Sequence, residues 1–91
     1  MMANPGMISE LLTDVITRGA VVAEKRRVIW ALGFKYDKPS VWARLLDAWE
    51  ELDEERGSLR GLELWATTLV LVKEGDPNKQ PAICNVVDWA A

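Results

Sequence analysis

At 91 residues, 49% of them hydrophobic and 27% charged, the chain is long enough for one modest core and too ordinary in composition for wholesale disorder. A net charge of −3 argues against nucleic-acid binding by whole-molecule electrostatics. The absence of histidine removes the commonest general base, the commonest metal ligand and every histidine-dependent catalytic triad.

In chain order, residues 1–4 read as a loose N-terminus. Asn4 is placed to cap a helix that carries Pro5 at its first position. Ile8, Leu11, Leu12, Val15 and Ile16 then recur at the spacing of one buried helical face, and Gly19 supplies a stop. A second helix is predicted over 20–32. Val21, Val22, Val28, Ile29 and Leu32 share a face, interrupted by Lys25, which can bury its stem and keep its ammonium wet. Trp30 points the opposite way and is the best single candidate for a contact residue. The competing reading puts it under a loop or the C-terminal segment. Gly33 to Lys38 connects onward with Tyr36 and two lysines, and with Arg44 it makes a basic–aromatic grouping.

Pro39 to Arg56 is the cleanest amphipathic stretch, opening on a proline suited to the first helical position. Val41, Leu45, Ala48 and Leu52 form one stripe; Trp42, Leu46 and Trp49 form a second beside it. Together they span roughly 160° of the wheel, wider than a one-sided surface helix needs. The plain reading is a central helix packed against two neighbours; the alternative is that Trp42 and Trp49, one heptad apart, face a partner chain. Glu50, Glu51, Glu54 and Glu55 crowd its C-terminal end, where like-charge pairs and the helix dipole both disfavour acids. Lys25, Arg26 and Arg27 are the intramolecular candidates to offset them, and a basic partner surface is the intermolecular one.

Gly57 reads as the end of that helix and Ser58 as the cap of the next. Over 59–75, Leu59, Leu62, Trp65, Ala66, Leu69 and Val70 fit one helical arc of roughly 140°, with Gly75 and Pro77 as stop signals. Read instead as a strand, TTLVLV is rich in β-branched residues, and KEGDPNKQP could turn it back into AICNVV as a hairpin. The final segment has helical spacing at Ile83, Val86, Val87 and Ala90. A helix there, capped by Asn78 with Pro81 in its first turn, docks Trp89 on the core.

Chemistry is thin. One cysteine, Cys84, allows no intrachain disulfide or ordinary zinc site, and reads as a packed small hydrophobe in a reducing compartment. No glycine-rich phosphate loop is present, and Glu50 to Glu55 lacks the spacing of a calcium loop. Carboxylate-only catalysis would need a larger cleft than so short a chain affords. The N-terminus carries no signal-peptide pattern and no apolar run spans a bilayer, so a cytoplasmic location is expected.

The expectation is therefore a single domain over 1–91, mainly α, built as a compact four- to five-helix bundle on Val41–Leu52. The alternative is α+β, with three helices and a C-terminal β-hairpin. The expected function is a non-catalytic protein–protein interaction module without cofactor, metal or membrane. Such a chain could be a phage- or mobile-element-encoded inhibitor, a regulator or an assembly factor. Its candidate contacts are Trp30, Trp42, Trp49, Glu50, Glu51, Glu54 and Glu55, facing another protein with a basic surface or a second copy of the chain. A helix-turn-helix DNA-binding regulator is the alternative. There Lys35, Lys38 and Arg44 contact phosphates, while Ser40 and Arg44 approach bases. Against it stand a long turn and an acidic recognition helix.

Overall fold

The computed structural model describes residues 3–65, 67–73 and 84–91. Helix α1 (Pro5–Arg18) opens where Asn4 Oδ1 accepts from the Met7 N–H at 3.1 Å, and it closes on Gly19 at φ 86°. A glycine serves here because an L side chain in that left-handed conformation would be strained. Asn4 is not loose: its N–H also donates to the Ala31 carbonyl at 2.7 Å. Strand β1 (Ala20–Glu24), helix α2 (Lys25–Ala31) and helix α3 (Pro39–Glu50) follow. A single 3-10 turn (Arg56–Ser58) then leads into β2 (Leu59–Leu64), β3 (Thr68–Lys73), the two-residue β4 (Cys84–Asn85) and one turn of helix, α4 (Val86–Trp89).

The sheet is antiparallel in the order β1-β3-β2-β4. Val21 lies opposite Leu71 and Ala23 opposite Leu69 on the face that meets the helices. Val22, Val70 and Leu62 share the other face, and so do Ala20 with Val72. Helices α1, α2 and α3 cover the inner face, and the core runs from Leu12 and Val15 through Val28, Leu45 and Trp49 to Leu59, Leu69 and Leu71. Each fully buried aliphatic contributes about 1.5–3 kcal/mol by leaving water.

The molecule is thus α+β, and the mainly-α bundle is corrected at two places. The segment 20–32 is a strand followed by a short helix, because Val21 and Val22 pair with β3 instead of extending a helical face. Within that stretch, β2 ends at Leu64 and β3 begins at Thr68 to pair back on it as a hairpin, and Ser58 caps no α-helix. The alternative hairpin, TTLVLV against AICNVV, does not form either: β3 lies between β1 and β2, while Cys84 and Asn85 pair with Gly61 and Arg60. Its turn, and the caps assigned to Gly75, Pro77, Asn78 and Pro81, lie outside the described residues. Asn85 caps the last helix, accepting from the Val87 N–H at 3.0 Å.

Helix α3 is central, and its two stripes both find neighbours. Val41, Leu45, Trp42, Leu46 and Trp49 are buried between α1, α4 and the sheet. It ends at Glu50, earlier than its sequence suggests, and Asp53 takes φ 62° in the turn beyond. Among the described residues no helix is long and apolar enough to cross a membrane.

Candidate functional site

Because α2 starts directly after β1, Lys25 is carried to the edge of the sheet, where its side chain is left only 11% exposed. It is the one buried charged residue among those described. Its Nζ bridges Asp37 Oδ2 at 2.6 Å and Glu63 Oε2 at 3.0 Å, and Asp37 Oδ1 also accepts from Trp42 Nε1 at 2.8 Å. Burial alone would push the Lys25 ammonium down, but hydrogen bonds and charge from Asp37 and Glu63 outweigh it and raise the group. Burial likewise favours protonated Asp37, and Lys25 with Trp42 overcomes this and lowers it. The stem is buried as expected, and the ammonium meets two part-exposed carboxylates at the cleft. Lys25 ties α2 to the 33–38 connection and to β2.

That connection leans away from α2 and leaves a cleft of about 390 Å³ lined by Glu24, Lys25, Arg26, Ile29, Lys35, Tyr36, Asp37 and Thr67. Arg26, Lys35 and Tyr36 line it together with the acids Glu24 and Asp37, and Trp30 adjoins it through Arg26. Tyr36 is 76% exposed, and Trp30 is 40% exposed with the Arg26 guanidinium 5.6 Å above its ring. Lys38 stands 5.2 Å over the Phe34 ring. Thr67 belongs to the β2–β3 turn, whose Trp65 is 87% exposed at φ 53°. A bulky residue in the left-handed region costs backbone energy and leaves its indole in solvent, the kind of outlier that accumulates at contact surfaces. Among the described residues, Lys35 meets no carboxylate and Arg26 meets only the indole.

The remaining candidates are dispersed. Trp42 and Trp49 are core residues at 2% and 0% exposure, so neither offers a ring to a partner. Trp42 packs edge-on against Trp89 with centroids 5.2 Å apart, while Trp49 Nε1 donates to the Glu55 carbonyl at 3.0 Å and to Ser58 Oγ at 2.9 Å. The acidic helix end is offset from within, but not by Lys25, Arg26 or Arg27. Arg56 Nη1 reaches Glu50 at 2.6 Å and Asp47 at 3.1 Å, and Lys73 Nζ reaches Glu54 at 3.1 Å. Glu51 and Glu55 stay exposed. Arg44 lines a different groove of about 320 Å³ between α1 and α3, beside Asp47 and Glu51. Ser40 is exposed on the first turn of α3. Lys35 and Arg44 thus do not share a cleft.

Sequence reasoning missed Trp65 by placing it on the buried arc of a helix. It had named Tyr36 without giving it a role. The strand reading of TTLVLV held the signal, since a strand beginning at Thr68 leaves Trp65 in the turn. Among the described residues no group of three or more His, Cys, Asp and Glu side chains is placed to hold a metal ion. Comparison with protein-family models, curated proteins and solved structures finds no match.

Proposed function

We propose that this chain is a non-catalytic protein–protein interaction module of the cytoplasm, binding through the face around the α2 cleft. The observation that carries the reading is the grouping of exposed Tyr36 with Arg26 and Lys35 on one cleft, with the half-exposed Trp30 ring beside it under Arg26. Trp, Tyr and Arg are the residue types in which binding energy concentrates at protein interfaces. The acidic end of α3, the original motive for a basic partner, has cations of its own in Arg56 and Lys73. The partner fitting the cleft face is instead one that presents acidic groups beside an apolar side chain.

A photo-crosslinking amino acid placed at Trp30 and at Tyr36 tests this in the cells that make the protein. The same partner is expected from both positions and from neither Thr17 nor Glu51. Arg26→Glu with Lys35→Glu is expected to weaken the purified complex at least about tenfold, with an unchanged circular dichroism spectrum. The helix-turn-helix reading keeps one supporting observation, the exposure of Lys35, Lys38, Ser40 and Arg44 around the start of α3. It requires duplex DNA affinity that collapses as salt rises and that Arg44→Ala reduces.

A further inference from the structure

Strand β1 is an outer strand of the sheet, and its pairing fixes which backbone groups are spent. Lys25 N–H donates to the Thr67 carbonyl and Lys73 N–H to the Gly19 carbonyl, so residues of odd number in β1 face β3. In an antiparallel ladder the alternate residues then turn their N–H and C=O groups outward. Those residues are Ala20, Val22 and Glu24, and the Glu24 carbonyl, as the cap of α2, is the one that a helix already uses. Exposed edges are ordinarily blunted by lysine, proline, a bulge or a covering loop. Ala20 to Glu24 contains no lysine or proline, its pairing with β3 runs without a bulge, and Val22 is 68% exposed.

We propose that β1 pairs antiparallel with β1 of a second copy of this chain about a twofold axis at Val22, joining two sheets into one. The strand is self-complementary in this register. Val22 exchanges both of its backbone hydrogen bonds with Val22 of the second copy, and the Glu24 N–H of each donates to the Ala20 carbonyl of the other. On the outer face the register already aligns Leu62, Val70 and Val22 across three strands. The twofold continues that row into the Val22, Val70 and Leu62 of the second copy, removing the exposed valine from water. Open backbone and apolar row both find their complement in an identical chain, which makes the second copy the occupant.

The test combines sedimentation with amide hydrogen exchange on the whole chain. The expected result is a mass that doubles with rising concentration, accompanied by growing protection of the Val22 and Glu24 amides. Val22→Pro removes only an outward N–H, a substitution edge strands accept. Val22→Lys places a charge at the axis. Both are expected to weaken the dimer at least about tenfold. The wild-type exchange data decide the matter even if Val22→Pro fails to fold. A mass that stays monomeric to about 1 mM overturns the proposal. So does a dimer in which Val22 and Glu24 exchange as fast as in the monomer, or one that Val22→Lys leaves intact.

Discussion

Trp30 and Trp42 show how one residue type serves two ends. Trp42 turns its indole into the core and spends its N–H on Asp37, whereas Trp30 holds its ring at the surface beneath Arg26. Trp42→Ala is expected to cost about 3–5 kcal/mol of unfolding free energy, because it opens a cavity and strips Asp37 of a donor. Trp30→Ala should cost less than about 1 kcal/mol while abolishing partner binding. Urea titrations of the two variants, read beside the crosslinking result, separate packing from recognition. Both placements follow from helical spacing: Trp42 falls on an apolar stripe and Trp30 opposite one. Lys25 was not legible in this way, since Asp37 lies on the 33–38 connection and Glu63 on β2, neither of them placed by the spacing of its own helix.

At the scale of elements, α1 and α3 were readable because each carries a cap or proline and an unbroken apolar stripe. The strands were not, because their residues satisfy both periods. Leu59, Leu62 and Leu69 lie on a helical arc, yet Leu69 and Leu71 alternate inward just as well, and long-range pairing decides between the two. Gly61 held the local clue, since glycine weakens a helix interior. Its presence is explained by Trp89: a Cβ at residue 61 would lie 2.6 Å and 2.8 Å from the indole carbons Cη2 and Cζ3. Gly61→Ala is therefore expected to push α4 off β2, costing about 1–3 kcal/mol and altering the near-ultraviolet dichroism of the Trp42–Trp89 pair. Trp89→Leu in the same chain should recover part of the loss.

For the whole molecule, the ion-pair triad predicts the shape of stability against pH. Asp37 titrates below its unfolded value of 3.8, so its contribution is full above that pH and disappears as acid is added. Lys25 titrates above its unfolded value of 10.5, so its contribution is full below that pH and disappears in stronger base. Melting temperature should hold level between these limits and fall outside them. Lys25→Met should lower the plateau and flatten the fall at the acid end, because Asp37 then has no cation to lose. Thermal melts from pH 2 to pH 11 check both arms. The face around the α2 cleft was only half visible from sequence. Trp30 and the lysines of the connection could be named, but the hairpin that brings Thr67 and Trp65 beside them could not.

The pairing of β1 with β3 has a consequence for how the protein is made. Ala20 finds its neighbour at Val72, and between them lie helices α2 and α3, able to form by local contacts as they leave the ribosome. Strand β1 emerges early and has no partner until β3 follows. Throughout that interval both of its edges are open, among nascent chains of the same sequence on neighbouring ribosomes. Another β1 on a neighbouring nascent chain is open at the same stage, so an assembly like the proposed dimer is able to begin before either subunit is complete.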